Sequence, residues 1–138
     1  SLSVTDAFFN KKNASYVILE KEKTAIIEMA ACAGFSEDHK GLAPMYTTTF
    51  GVGEMILDAI EKGCEKITVC LGGSCTNDFG LGMAAALGVS FLDENEEEFI
   101  PVGATMENVS EIDVSNLSEK LKNVKFTAMC DVENCENL

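Results

Sequence analysis

The sequence predicts an α/β fold, a mixed β-sheet flanked by helices, and three observations carry that expectation. Strand-like and helix-like runs alternate after residue 50, as in layered α/β architectures. Ile67 to Leu71 is a continuous apolar run between Lys66 and Gly72, too short for a helix, and reads as a parallel strand buried on both faces. The first forty residues read instead as short strands with polar turns, an antiparallel meander. At 138 residues the chain has the length of one domain, 1–138, able to bury a core.

The elements follow in order. Ser3 to Phe9 and Ala14 to Leu19 flank a polar turn at Asn10 to Asn13. A charged turn, Glu20 to Lys23, leads to Thr24 to Ala31, which starts as strand and ends in helix-favouring alanines. Val52, Met55, Ile56, Ala59 and Ile60 share one helical face, and Gly63 is the stop. Gly80 to Leu87 reads as a small-residue helix ended by Gly88, and Val89 to Leu92 as a strand. Asp93 to Glu98 holds five carboxylates in six residues; its spacing does not match a calcium loop, so a solvated hairpin tip is expected. Phe99 to Val102 returns as strand, Met106 to Leu121 is loop and short helix with Ser118 as cap, and Val124 to Cys130 is a final buried strand.

Charge narrows the partners. Ten Lys against 23 Asp and Glu give −13, which would repel nucleic acid and anionic membranes. All ten cations are Lys, so no planar guanidinium fork can grip a phosphate in two places. No apolar run approaches the roughly 18 residues of a spanning helix, and no basic leader precedes one, so a soluble protein is expected. The six cysteines stand without a close pair, and the single His39 lies in a polar loop. That spacing fits neither zinc nor a disulfide scaffold, and predicts reduced thiols in the cytoplasm, most of them packed as small hydrophobes. The opening at Ser1, without Met, suggests a piece of something larger.

Two loops concentrate glycine with short polar side chains. Thr47-Thr48-Thr49-Phe50-Gly51-Val52-Gly53-Glu54 stands at the start of the predicted helix. Its hydroxyls and glycine amides make either an anion cradle or a capped helix start with Glu54 in the first turn. Gly72-Gly73-Ser74-Cys75-Thr76-Asn77-Asp78 follows the Ile67 strand, where α/β sheets bind ligands. There Ser74, Thr76 and Asn77 could donate to phosphate oxygens, and Asp78 could act as general base or hold Mg²⁺. The alternative is a tight turn in which Asn77 and Asp78 cap the next helix. Asp131, after the last strand, is a second candidate carboxylate, or else a turn residue. A Walker A loop is excluded, since no Lys lies between Lys66 and Lys120. Gly80-Leu81-Gly82-Met83-Ala84-Ala85 matches a dinucleotide pattern but starts too far beyond its strand, leaving an oxidoreductase as a weaker reading.

These segments together resemble the type I glycerate kinase family. Ile27-Glu28-Met29-Ala30, the Thr47 to Glu54 and Gly72 to Asp78 blocks, Gly82-Met83 with Ala86-Leu87-Gly88, Phe91-Leu92-Asp93, and Cys130-Asp131-Val132 with Asn134 are similar to its motifs, in order. The family resembled has Gly at the place of Phe79, Tyr at Phe50, Thr at Val52, Ser at Ala33, and Pro-Leu at Cys135-Glu136.

The resemblance implies a two-domain enzyme that moves the γ-phosphoryl group of Mg·ATP to D-glycerate, with the 2-position favoured. This chain is similar to the middle of that sequence, most of the first part of the inserted second domain, whose fold resembles restriction endonucleases. Asp78 and Asp131 would then be catalytic and metal-side carboxylates. Thr47, Thr48, Thr49, Gly51, Gly53, Gly72, Gly73, Ser74, Thr76, Asn77 and Asn134 would bind substrate or phosphate. Phosphoryl transfer needs cations around the transferring group, which a chain at −13 without Arg lacks; the remainder of the polypeptide must supply them. The isolated chain is therefore expected to be inactive, with surface left over that could pair as a homo-oligomer. A non-catalytic small-molecule-binding module or degenerate paralogue is the alternative.

Overall fold

The computed structural model describes residues 2–33, 47–71, 78, 80–117 and 119–129. A hairpin opens the chain, β1 (Leu2–Thr5) antiparallel to β2 (Lys11–Ala14). The central sheet holds β3 (Val17–Leu19), β4 (Thr24–Glu28), β5 (Lys66–Cys70) and β9 (Lys125–Met129), in that spatial order. It is mixed, as expected, because β3 runs antiparallel to β4 while β4, β5 and β9 are parallel. A third sheet orders β7 (Glu98–Phe99), β6 (Ser90–Leu92) and β8 (Glu111–Asp113), all antiparallel.

Among the described residues, three α-helices join these strands: α1 (Ala30–Ala33), α2 (Phe50–Glu61) and α3 (Leu81–Ala86). The strand that turns helical after Thr24 is β4 followed by α1, as its composition indicated. The apolar face of α2 forms as its spacing predicts. Val52, Met55, Ile56 and Ala59 are buried in one cluster with Ala25, Ile27, Ile67 and Val69 of the sheet and Val4, Ala7 and Ala14 of the amino-terminal segment. Gly63 and Gly88, at φ +96° and +113°, adopt left-handed backbone just beyond α2 and α3, where a helix stop was read. The acidic run is a hairpin tip. The Asp93 carboxylate accepts the amides of Asn95 and Glu97 while β6 and β7 pair on either side.

Several expectations need correction. The turn expected at Asn10 to Asn13 is mostly the strand β2, and the strand expected at Phe99 to Val102 ends at Phe99. The opening strands are not one meander, because β2 pairs only with β1 and β3 only with β4 in their sheets. β5 is buried on one face alone: Ile67 and Val69 face α2, whereas Thr68 and Cys70 are half-buried and Leu71 is exposed. β9 is exposed at all five positions because it is the edge strand. Part of Met106 to Leu121 is the strand β8. His39 and the proposed cap Ser118 lie outside the described residues.

Candidate functional site

The carboxyl ends of the three parallel strands lie side by side. The Met29 amide donates to the Cys70 carbonyl at 2.9 Å, and the Leu71 amide to the Met129 carbonyl at 2.8 Å. The segment after β5 and the segment after β9 therefore leave the sheet from adjacent points, at the edge where α/β proteins bind ligands. Gly72, Gly73, Ser74, Thr76, Asn77, Phe79, Asp131 and Asn134 lie on those segments, outside the described residues.

Asp78 closes the first segment. Its carboxylate is 1% exposed and sits between the amino-terminal ends of α2 and α3. Oδ2 accepts the Thr49 amide at 2.8 Å, the Gly82 amide at 3.0 Å and the Thr49 hydroxyl at 2.9 Å; Oδ1 accepts the Gly80 amide at 3.0 Å. The Thr49 hydroxyl in turn accepts the Met83 amide at 3.0 Å. Amides that a helix start leaves without intrahelical partners are thus satisfied by one side-chain pair, and a negative charge sits where both helix dipoles favour it.

This geometry revises the role assigned to Asp78. A general base must reach a substrate proton, and a metal ligand must offer a lone pair to a cation. Here both oxygens are filled by hydrogen-bond donors in a water-excluded junction, whose field opposes a cation. Asp78 binds its own helix and its neighbour, as the capping alternative holds. The residues present around Asp78 do not fit Mg²⁺, and among the described residues no group of three or more His, Cys, Asp or Glu could hold a metal.

The threonine block is corrected in the same way. Thr47, Thr48 and Thr49 are 1%, 1% and 2% exposed. The Thr48 hydroxyl accepts the Phe50 amide at 3.2 Å, and its own amide donates to the Ala7 carbonyl. The anion cradle exists, but the chain's own Asp78 fills it. Gly51 and Gly53 are buried in α2 and open to no ligand. A Cβ on Gly53 would stand 2.5 Å from the Ala86 Cβ and 2.6 Å from the Met83 carbonyl oxygen, so this glycine lets α2 and α3 approach. Val52 is fully buried in the core, so a hydroxyl there would meet apolar side chains and not a ligand.

Two residues outside the predicted set complete the junction. Gly82 has no space for a Cβ, which would overlap the Thr48 hydroxyl and the Asp78 carboxylate. That packing accounts for the second glycine of the Gly80-Leu81-Gly82 pattern without a dinucleotide. Glu54 accepts the Thr5 amide at 2.7 Å and ties β1 to α2. The signal for both was in the glycine-rich blocks, but their partners are remote in sequence.

A second polar cluster lies near the far end of α2. The Tyr16 hydroxyl donates to Asp58 at 2.6 Å, Lys62 pairs with the same carboxylate oxygen at 2.9 Å, and Lys62 stands 5.5 Å from the Tyr16 ring centre. Burial and then the Asp58 hydrogen bond push the Tyr16 phenol well above its ordinary range. Burial alone would raise the Asp58 carboxyl, but the Tyr16 and Lys62 hydrogen bonds and the Lys62 charge outweigh it and hold the carboxyl low. Cys64 beside it is a buried free thiol raised by burial, and Cys70 is also free. No helix among the described residues is long and apolar enough to cross a membrane.

Comparison with known proteins agrees with these motifs. The model of the glycerate kinase family matches residues 1–135. The chain is 43% identical over 135 residues to a glycerate kinase of Bacillus cereus, covering 97% of this chain and 35% of that protein. It is 41% identical over 132 residues to the glycerate 2-kinase of Escherichia coli, covering 95% of this chain and 35% of the relative. A solved structure from Salmonella typhimurium LT2 assigned as glycerate kinase 2 superposes with a TM-score of 0.86 at 34% identity, over 94% of this chain and 35% of the other. The chain thus spans about 35% of the length of the curated relatives it matches.

Proposed function

The chain belongs to the glycerate kinase family, and from that premise we propose that it is the α/β domain 1–138 of a larger two-domain cytoplasmic kinase. That kinase transfers the γ-phosphoryl group of ATP to a hydroxyl of D-glycerate, the 2-position favoured. One observation carries the reading: the loop after β5 starts at the joined ends of three parallel strands and is pinned at its far end by Asp78.

Leu71 and Asp78, the described residues on either side of this segment, are both fixed by hydrogen bonds, and it is the segment proposed to meet the anion. In this reading Gly72 and Gly73 let the backbone approach, and Ser74, Thr76 and Asn77 donate to substrate or phosphate oxygens. Asp131 and Asn134, which follow β9 in the sequence, would complete the site, with Asp131 as the carboxylate left for Mg²⁺. The Asp78 carboxylate acts on none of the reacting atoms. Cations for the transferring group come from the remainder of the polypeptide, because this chain has Lys only and a net charge of −13.

The test joins this chain to the rest of the Bacillus cereus relative, in place of the matched segment, and measures ADP release with D-glycerate. Turnover on the order of 1–100 s⁻¹ is expected, as for kinases. Ser74→Ala combined with Thr76→Val should lower kcat/KM at least about tenfold, as lost oxyanion donors do. A folded but silent joined protein that still binds glycerate or nucleotide in calorimetry would overturn the reading in favour of the non-catalytic module. Phe79 and Cys135-Glu136, where the family resembled has Gly and Pro-Leu, are the residues behind that second reading.

A further inference from the structure

Among the described residues, the central sheet buries side chains on one face and leaves the other bare of any packed helix or strand. Ala25, Ile27, Ile67 and Val69 turn toward α2 and are 0%, 0%, 0% and 7% exposed. Strand register puts the intervening residues on the opposite face, where Val17, Ile26, Thr68 and Thr127 form one row and Glu28, Cys70 and Met129 the next. None of these seven is buried, and Val17 and Met129 are 56% and 55% exposed. Parallel strands in α/β proteins are covered on both faces, and the apolar run Ile67 to Leu71 has the composition of such a strand. Among the described residues β9 is the edge of the sheet, and on its α2 side Phe126, 47% exposed, stands over an apolar groove of about 420 Å³ walled by Met83, Leu87 and Leu121.

We propose that the bare face is a docking surface for helices from the part of the glycerate kinase polypeptide outside the span matched here. This rests on the family membership and not on the catalytic roles given above. The length relation favours that occupant. The solved relative matches this fold closely over only 35% of its chain, so about two thirds of that polypeptide must be placed around such a unit.

Charge sets the chemistry of the covering layer. In a chain with 23 acidic residues, the row Val17–Ile26–Thr68–Thr127 carries no charge, which calls for an apolar helix stripe. Lys66 and Lys125 are register partners on the same face, like charges side by side that an acidic residue on the covering helix would relieve. A second copy of this chain fits poorly, because a face-to-face pair would bring the lysines of both copies onto one seam between two chains at −13 each.

Cys70 reports the covering directly. Its alkylation by N-ethylmaleimide, located by peptide mass spectrometry, is compared in the chain alone and in the chain joined to the remainder of the Bacillus cereus relative. The joined form should react at least about a hundredfold more slowly, because a covered thiol reacts only through local opening. The intact relative, with cysteine placed at the position aligned with Cys70, gives the same comparison if the joined protein does not fold. Rates within about threefold of the isolated chain would overturn the proposal, since exposure governs access to the thiol. So would protection of the isolated chain that grows with its concentration, which would assign the face to a second copy. No nucleotide or glycerate is present, so this result is independent of activity.

Discussion

Replacing Asp78 by Asn in the chain should destabilise it by about 3–5 kcal/mol, and the junction of α2 and α3 sets that magnitude. The carboxylate accepts three backbone amides and one hydroxyl at 2.8–3.0 Å. An amide side chain keeps one oxygen, so its NH₂ group faces either the part-buried Gly80 amide or the buried amides of Thr49 and Gly82. A buried donor left without an acceptor costs about 1–3 kcal/mol. The bonds that remain lose their charge assistance, which roughly halves each of them. Against a total stability of about 5–15 kcal/mol for a domain, this is a large fraction. Urea unfolding followed by far-ultraviolet circular dichroism measures it. A double-mutant cycle with Thr49→Val should return a coupling of about 1–3 kcal/mol, because Thr49 both donates to Asp78 and accepts from Met83. A loss below about 1 kcal/mol for Asp78→Asn would refute the reasoning, since one orphaned buried amide alone should exceed it.

Gly53→Ala should cost about 1–3 kcal/mol in the same unfolding assay, because its Cβ would press on Ala86 and the Met83 carbonyl where the helices touch. Below about pH 4 the chain should lose stability in part through Asp58. Its folded carboxyl lies low, so its contribution is present above the unfolded value and disappears as pH falls through the folded one. Asp58→Asn should flatten that acid limb, and an unchanged limb would count against the Tyr16–Asp58–Lys62 cluster. The Tyr16 phenol is raised, so its contribution holds below the unfolded value near about pH 10 and is lost above it; Tyr16→Phe should flatten the alkaline limb.

Local periodicity made α2 legible, since five apolar residues at helical spacing followed by Gly63 leave one amphipathic solution. β2 escaped that kind of reading. Lys11 to Asn13 are exposed in the hairpin with β1, so only Ala14 carries the burial that marks a strand. β9 was read as buried because its composition is apolar, but composition does not say whether a sheet continues beyond a strand.

The candidate site divides along the same line. Glycine-rich loops beside strand and helix ends were visible in the sequence, and the chain does bring the Thr47 to Thr49 block and Asp78 together. What the loops hold was not visible. The Thr49–Asp78 contact joins residues 29 positions apart, and a carboxylate near glycines reads identically whether it faces a substrate or caps two helices. Helix N-termini attract an anion of either origin. In this fold the nearest anion belongs to the chain.

We propose that this span is a scaffold that transfers phosphate only with cations from the rest of the polypeptide. Turnover of the isolated 138-residue chain with Mg·ATP and D-glycerate measures it most directly. No glycerate-dependent ADP release is expected; a rate near about 1 s⁻¹, the lower end for kinases, would contradict the account.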